Sequence, residues 1–291
     1  MKFKKIYRRL TRRRWTIGFL NNSIEDVIAG KEPKVSWISH NYTDRWFADP
    51  FILDVTDDII FVLVEEFLYN LGRARIARLS IDRKSLYVKE SVPTLTLPTH
   101  LSYPAIIRKE GEVFIYPESG ASGKLLLYKY DIKSNTLEET CVLSDENLGD
   151  ATYTNMWGED MLFCTTPDSF NGHTLHIYRK NANGVYKDSE TLSFPDNIAR
   201  MAGDFFKVNG KIYRPAQDCN KSYGNGTVIQ EIERTKTGWN IKEINRFFSK
   251  NKLYPLGMHT INTYKGVTVV DAVGYRKPFV GRILSWLRNF A

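Results

Sequence analysis

The chain contains 291 residues, of which 42% are hydrophobic and 13% are aromatic, so it can bury a sizeable core. Its three cysteines are an odd number without CxxC spacing, which argues against a disulfide framework or a zinc knuckle and favours a reducing compartment. The sequence has no HExxH motif, no P-loop and no GxGxxG motif after a predicted strand, which excludes these metal and nucleotide sites.

The net charge of +8 is concentrated near the N-terminus. Eight of the 41 Lys and Arg residues lie in residues 1–14, which contain no acid, and the other 33 balance the 33 Asp and Glu residues. Such a segment suits either a solvated arm or attraction to anionic lipid. Nucleic acid is the least favoured partner, and none is expected. We assign residues 1–33 to a basic N-terminal extension.

Short β-strands dominate the predicted secondary structure, and helices are predicted only within residues 21–30 and over the last ten residues. Ten apolar segments are rich in β-branched or aromatic residues and bounded by Gly, Asn, Asp or Pro, which is typical of strands. The Asn209-Gly210 pair predicts a hairpin within one of them. The segments are 58–67, 73–81, 104–109, 112–119, 124–132, 160–167, 174–180, 204–216, 226–234 and 266–273.

A weak internal repeat organises these strands. Similar strand openings recur at intervals of about 50 residues: FADPFI at 47, SYPAII at 102, DATYTNMW at 150, AGDFFKV at 202 and GMHTINTY at 257. A period of this length with about four strands per unit is typical of propeller blades. We therefore predict an all-β, five-bladed β-propeller over residues 34–275, with a β-sandwich as the alternative.

The C-terminal stretch GRILSWLRNFA predicts a basic amphipathic helix within residues 276–291. Ile283, Leu284, Trp286, Leu287 and Phe290 would form an apolar stripe beside arginines, a pattern suited either to a membrane surface or to docking on the propeller. No secretory signal and no apolar run of about 18 residues is recognised. The expected location is therefore cytoplasmic, with peripheral attachment to the inner membrane face as an extension of that expectation.

Polar residues recur where the predicted blades begin, and these positions line the channel of a propeller. Asp49 lies in the otherwise apolar segment RWFADPFI, where it could either face the channel or cap a turn that Pro50 ends. The other candidates at such positions are His100, Tyr103, Glu118, Asp150, Arg200, Arg214, Gln217, Asp218 and His259.

The ordered motifs FADPFI, HLSYP, YPES, AGDFF, YRPAQDC and HTIN followed by VVD resemble the N-terminal domain of plant glucosamine inositolphosphorylceramide transferases and their bacterial relatives. That domain is similar to the five-bladed propellers of glycoside hydrolase family 43. The resemblance implies that Asp49 is the water-activating carboxylate of such a site. Glu118 and Asp150 are positional candidates for the general acid and the orienting carboxylate. In the plant proteins a separate glycosyltransferase domain follows the propeller, so their activity does not transfer whole.

Glycosyl chemistry needs one carboxylate at the anomeric carbon and a protonated one at the bridging oxygen. The available acids are Asp49, Glu65 or Glu66, Glu118 and Asp150. Arg200 and Arg214 would suit a phosphate or carboxylate on the substrate, unless they pair with these acids.

The leading prediction is glycosyl transfer during assembly of a cell-surface glycan or polysaccharide. A glycosidase similar to family 43 and a noncatalytic glycan-binding propeller are the alternatives. The predicted partners are a carbohydrate or activated sugar and an anionic membrane surface. No cofactor beyond an activated sugar donor and no metal site is predicted, although a cation in the channel is left open. We expect the Asp49 carboxylate to be exposed to the channel, within reach of Glu118 or Asp150.

Overall fold

The computed structural model describes residue 7 and residues 10–288, and most of them lie in β-strands. The α-helices whose bounds are described are α1 (Ile24–Ile28) and α2 (Pro278–Arg288). The strands are β1 (Arg13–Leu20), β2 (Val35–Trp37), β3 (Arg45–Val55), β4 (Ile59–Leu68), β5 (Arg73–Asp82), β6 (Val88–Leu95), β7 (Ser102–Lys109), β8 (Glu112–Glu118), β9 (Leu125–Asp131), β10 (Thr136–Ser144), β11 (Gly149–Thr154), β12 (Met161–Thr165), β13 (Thr174–Lys180), β14 (Tyr186–Ser193), β15 (Phe206–Val208), β16 (Lys211–Asp218), β17 (Gly226–Thr235), β18 (Gly238–Phe247), β19 (Ile261–Tyr264) and β20 (Val267–Tyr275).

These strands form five antiparallel sheets of four strands each, which we call blades I to V. Blades I to IV contain β3–β6, β7–β10, β11–β14 and β15–β18, each with its strands paired in chain order. The first strand of blade I contacts the first strands of blades II and V, so the first strands lie nearest the common axis. The predicted five-bladed, all-β propeller is confirmed.

Blade V joins the two ends of the chain. Its strand order is β19-β20-β1-β2, with β1 paired to β20 from Arg13 opposite Tyr275 to Phe19 opposite Val269. The assignment of residues 1–33 to an extension outside the propeller therefore has to be corrected. Strand β1 was not predicted because it begins within the basic residues 12–14. Its later residues Trp15, Ile17 and Phe19 are buried.

Both helices lie within the predicted segments. Helix α1 begins after Ser23, whose hydroxyl accepts a hydrogen bond from the Asp26 N–H at 3.2 Å, as a helix N-cap does. Helix α2 covers most of the predicted C-terminal helix, and residues 289–291 lie outside the described residues, as does most of the basic segment 1–14. Among the described helices, none is long and apolar enough to cross a membrane.

Aromatic side chains fill the space between neighbouring blades. Phe51 of blade I meets Tyr103 of blade II edge to face, with ring centres 4.9 Å apart. Phe163 of blade III meets Phe205 at the start of blade IV in the same way, also at 4.9 Å. Such contacts hold the blades in fixed orientation around the channel, because buried aromatic pairs add to the burial of apolar area.

Removing β1 should unfold the propeller. A chain that starts at residue 22 loses the buried side chains of Trp15, Ile17 and Phe19, each worth about 2–5 kcal/mol, and leaves β20 without its partner strand. Thermal unfolding followed by circular dichroism should show no cooperative transition. A chain that starts at residue 12 retains β1 and should melt within a few degrees of the full chain; equal melting of both truncations would contradict the closure by β1.

Candidate active site at the channel mouth

The candidate residues collect at one end of the channel, where the first strand of each blade begins and the second strand ends. Tyr103 and Asp150 are the second residues of β7 and β11, and Glu118 is the last residue of β8. Gln217 and Asp218 end β16 in the same way. We call this end of the propeller the channel mouth.

A β-bulge recurs at the mouth in the first strands of blades I, II and III. The bulged residues are Asp49, Tyr103 and Asp150, with φ angles of 47°, 45° and 45°. This left-handed conformation is rare for residues other than glycine, and its repetition in three blades indicates a shared structural requirement.

The requirement is a hydrogen bond between blades. The N–H of each bulged residue donates to a carboxylate of the preceding blade: Asp49 N–H to Asp271 at 3.1 Å, Tyr103 N–H to Asp49 at 3.0 Å, and Asp150 N–H to Glu118 at 2.8 Å. The bulge turns this N–H away from the hydrogen bonds between strands of its own sheet. In blades I, II and III the N–H can therefore bind a carboxylate of the preceding blade. Four predicted site residues take part in these hydrogen bonds, namely Asp49, Tyr103, Glu118 and Asp150, and Asp271 is the additional partner.

Asp271 and His259 form a buried ion pair behind Asp49. Asp271 is fully buried and accepts from the N–H groups of Asp49, His259 and Thr260 and from Nδ1 of His259, which lies 2.7 Å away. The His259 ring stacks on Trp15 with ring centres 4.0 Å apart. Burial disfavours the imidazolium, but attraction to Asp271 and Asp49 outweighs it and raises the pKa of His259 to about 9.

The expectation that the Asp49 carboxylate is exposed to the channel is wrong, since Asp49 is only 3% exposed. Its oxygens accept from the Tyr103 N–H and the Thr260 hydroxyl, both at 3.0 Å, and His259 Nε2 lies 3.6 Å away. Burial raises the pKa of Asp49 well above its ordinary value, against the opposing attraction of His259. These donors and the imidazolium offset the cost of burying the carboxylate.

Glu118, Asp150, Arg200 and Gln217 form the second group at the mouth. Arg200 Nε lies 2.5 Å from Asp150 and its Nη2 lies 3.5 Å from Glu118, so the alternative in which this arginine pairs with the acids holds. The Gln217 amide also donates to Asp150 at 2.6 Å. Glu118 retains 18% side-chain exposure, and burial raises its pKa to about 7 despite the attraction of Arg200.

Glu65 and His100 form a pair at the rim. His100 Nε2 lies 3.0 Å from the Glu65 carboxylate, and His100 Nδ1 accepts from the Ala74 N–H at 3.1 Å. The His100 side chain is 47% exposed. Glu66 is instead fully buried and binds Arg45 and Arg75, so of the two predicted glutamates only Glu65 belongs to the mouth.

Three predicted substrate ligands have structural roles. Arg214 is fully buried, binds Gln230 and the Ala199 carbonyl, and its pKa is lowered to about 9 by burial. Asp218 pairs with Arg246 at 2.9 Å. The Tyr103 ring is 1% exposed and its hydroxyl bonds Thr152, so Tyr103 serves the mouth through its N–H group. Residue type alone did not reveal these orientations.

Tyr223, Trp15, Thr260 and Asp271 belong to the mouth but were not predicted as site residues. Tyr223 is 36% exposed and lies between the His259 ring, 5.2 Å away, and the Arg200 guanidinium, also 5.2 Å away. Asp271 had a sequence signal, because it is an acid within the apolar strand segment GVTVVDAV. Trp15 had none, since it follows a basic run that appeared to lie outside the fold.

Asp49, His259 and Asp271 also have the ligand types of a metal site, with one donor atom from each lying within 4.8 Å of the others. However, Asp271 already accepts four hydrogen bonds, and His259 is protonated below about pH 9. A metal ligand needs the neutral imidazole. The geometry therefore fits an imidazolium between two carboxylates better than a bound cation.

Comparison with known proteins identifies the family to which the sequence belongs. Residues 33–267 match the family described as "Glucosamine inositolphosphorylceramide transferase 1, N-terminal". The chain belongs to this family. Proteins named glucosamine inositolphosphorylceramide transferase 1 are 29% identical over 214 residues in Oryza sativa subsp. japonica and 25% identical over 211 residues in Arabidopsis thaliana. These alignments cover 66% and 68% of this chain but 27% of each plant protein, so the chain spans about a quarter of their length.

Solved structures of similar fold are carbohydrate-active enzymes. A GH43_1 enzyme from Xanthomonas citri has a TM-score of 0.53 and 10% identity, covering 80% of this chain and 88% of its own. A β-xylosidase, RS223, has a TM-score of 0.53 and 14% identity, covering 74% and 81%. An exo-β-1,3-galactanase from Phanerochaete chrysosporium has a TM-score of 0.54 and 10% identity, covering 72% and 54%. At these identities the likeness shows the shared propeller fold.

The His259 ion pair should make stability depend on pH. Because the pKa of His259 rises from an ordinary 6.5 to about 9 on folding, its contribution is complete below pH 6.5 and is lost as the pH rises through 9. The loss should be about 3 kcal/mol by urea denaturation. His259→Gln should remove most of this dependence, whereas the exposed His173→Gln should retain it. A His259→Gln chain with the unchanged pH profile would show that the pair is not charged.

Proposed function

We propose that this propeller transfers a glycosyl group during assembly of a cell-surface glycan, at the cytoplasmic face of a membrane. The observation that carries the proposal is Glu118, a partly exposed carboxyl with a pKa of about 7 beside the Asp150–Arg200 pair. A group that titrates near neutrality can give a proton to a bridging oxygen and recover it from an acceptor hydroxyl. The plant relatives are named as transferases, which favours transfer over hydrolysis.

In this proposal Glu118 is the general acid or base and Asp49 is the carboxylate directed at the anomeric carbon. An oxocarbenium-like centre is stabilised by a nearby negative charge. Burial opposes ionisation of Asp49, and the protonated His259 at 3.6 Å favours it. Asp271 holds His259 in place and thereby acts on Asp49 as a positioning residue.

Asp150 and Gln217 are proposed to orient the sugar. Asp150 is held by Arg200 and Gln217, which fixes the direction of its carboxylate. Gln217 Oε1 has no hydrogen-bond partner within the described part of the chain, so it offers an acceptor to a sugar hydroxyl. His100 and Tyr223 are exposed at the rim and supply a polar contact and an aromatic face.

The proposed donor is an activated sugar, and the proposed acceptor is carried on a lipid. The names of the plant relatives combine glucosamine with inositolphosphorylceramide. We extend the class of acceptor, an inositol phospholipid, to this chain as part of the proposal. Arg200 is engaged with two acids, so recognition of a phosphate by this residue would require it to exchange partners.

Product analysis tests the proposal. The full chain is incubated with radiolabelled UDP-N-acetylglucosamine or UDP-glucosamine and vesicles containing phosphatidylinositol, and label is counted in the lipid and aqueous phases. Label in lipid is the expected result, and Glu118→Gln and Asp49→Asn should each reduce it by on the order of 100-fold or more. Glu112→Gln is the matched control, since Glu112 lies at the opposite end of β8 and is 46% exposed. Free labelled sugar without labelled lipid would show that water is the acceptor, and would replace transfer to lipid with hydrolysis of the donor.

Asp49→Asn also has a structural cost that must be measured beside its activity. Both Asp49 oxygens accept hydrogen bonds, and an amide can replace only one of them as an acceptor. We expect unfolding in urea to show a loss of about 1–3 kcal/mol, with the chain still folded at room temperature. An unchanged free energy of unfolding would show that these two hydrogen bonds do not contribute to the native state.

The pH profile provides a separate check on Glu118. If its protonated form is required, turnover should fall about tenfold per pH unit above a pKa of about 7. Arg200 attraction lowers that pKa, so Arg200→Gln should move the alkaline limb to higher pH. If the alkaline limb of the pH profile is the same in Arg200→Gln and in the unmodified chain, Glu118 is not the general acid.

A noncatalytic glycan-binding propeller is the second candidate, favoured by the 3% exposure of Asp49 and by the hydrogen bond that each of its oxygens already accepts. In that case Asp49→Asn and Glu118→Gln would leave function in cells intact. Glycan-array binding by the unmodified chain, with no turnover of any activated donor, would then replace the enzyme proposal.

A further inference from the structure

Helix α2 presents its apolar face away from the propeller. Gly281 is buried against Tyr275, and a Cβ atom at position 281 would lie 2.4 Å from the Tyr275 ring. At about 100° per residue, position 283 lies about 200° around the helix from position 281. Phe279, Ile283 and Leu287 are accordingly 86%, 56% and 50% exposed. The face that a soluble helix normally buries is therefore directed outward.

The charged residues of the C-terminal segment that contains this helix are all positive. Residues 276–291 contain four Lys or Arg residues and no acid. Lys277 and Arg282 are exposed beside the apolar residues. An exposed apolar stripe with basic flanks matches a helix that lies in the interface of an anionic bilayer, because both the apolar area and the charges gain from contact.

The basic N-terminal segment leaves the propeller beside the same helix. The Arg276 N–H donates to the Arg12 carbonyl at 2.8 Å, directly beyond the pairing of Arg13 with Tyr275. Arg12 and Arg13, which belong to the basic segment 1–14, therefore lie next to the start of α2. The pairing of β1 with β20 thus brings these arginines beside Arg276 and Lys277, although they are far apart in sequence.

This combined surface adjoins the channel mouth. Strand β20 ends at the mouth, as the second strands of the other blades do. The Arg276 guanidinium lies 4.1 Å from the centre of the Tyr69 ring and 3.4 Å from the Thr43 carbonyl. Thr43 precedes β3 and Tyr69 follows β4, and both positions lie at the mouth end of blade I.

We propose that helix α2 and the basic residues beside it dock on an anionic lipid bilayer and direct the channel mouth toward the membrane surface. Covering the apolar face removes Phe279, Ile283 and Leu287 from water, while Lys277 and Arg282 meet lipid phosphates. Docking does not require the proposed enzyme activity. Only its consequence, delivery of a lipid-borne acceptor to the mouth, rests on that function.

Vesicle sedimentation of the full chain tests the docking. Binding to vesicles of phosphatidylcholine with phosphatidylglycerol should exceed binding to phosphatidylcholine alone and should weaken in high salt. Ile283→Glu should reduce binding by at least about tenfold, and Lys277→Gln and Arg282→Gln by about fivefold each. Ile132→Glu is the matched control, since Ile132 is 60% exposed in the turn after β9, at the opposite end of the propeller. Equal binding by Ile283→Glu and Ile132→Glu would overturn the proposal.

Site-directed fluorescence tests the orientation. In a Cys141→Ser background, an environment-sensitive dye is attached at Leu71→Cys, in the mouth-side turn of blade I, or at Ile132→Cys. Spin-labelled lipid should quench the dye at position 71 and not the dye at position 132. Equal quenching, or quenching only at position 132, would reject the orientation.

Two further measurements separate this proposal from its competitors. Glu118→Gln should bind vesicles normally even if turnover is lost, and Ile283→Glu should retain turnover on a detergent-solubilised acceptor if the transferase proposal is correct. Vesicle binding without turnover by the unmodified chain would therefore count against the transferase proposal, and turnover without vesicle binding would count against membrane docking. A concentration-dependent dimer that Ile283→Glu abolishes, without vesicle binding by the unmodified chain, would assign the apolar face to self-association and overturn membrane docking.

Discussion

The hydrogen bond from a bulged residue to an acid of the preceding blade is the interaction on which the mouth depends. It occurs at Asp49, Tyr103 and Asp150, and in each case the residue adopts a left-handed backbone conformation that its side chain disfavours. The same contacts couple neighbouring sheets and fix the carboxylates of Asp271, Asp49 and Glu118. The packing of the blades and the geometry of the site therefore depend on the same hydrogen bonds.

The carboxylates at the mouth form two groups, and each group contains one cationic side chain. On one side Asp49 lies near the imidazolium of His259, which Asp271 keeps charged. On the other side Arg200 and Gln217 hold Asp150, while Glu118 stays partly exposed with a pKa of about 7. Burial raises the pKa of both Asp49 and Glu118, and a neighbouring cation, His259 or Arg200, opposes each rise.

Closure of the propeller has a consequence beyond stability. Blade V combines β19 and β20 with β1 and β2, which fixes Arg13 beside Tyr275 at the mouth end of the blade. Arg12, Arg13 and the start of helix α2 then lie beside the candidate site, although none of them contributes to the carboxylate groups. In the proposed function, this arrangement brings the site to the membrane that carries its acceptor.

The sequence by itself determined the all-β class and the five blades, because strand periodicity and the spacing of about 50 residues are local or repetitive signals. It also predicted Asp49, Glu118, Asp150 and His259 as mouth residues from their positions in the repeat. Only the tertiary structure decided that Asp49 is buried, that Arg214 serves the fold, and that Trp15 and Asp271 support His259. Those outcomes depend on contacts between residues up to 244 positions apart, such as Trp15 with His259, and no local pattern encodes which way a side chain turns at a bulge.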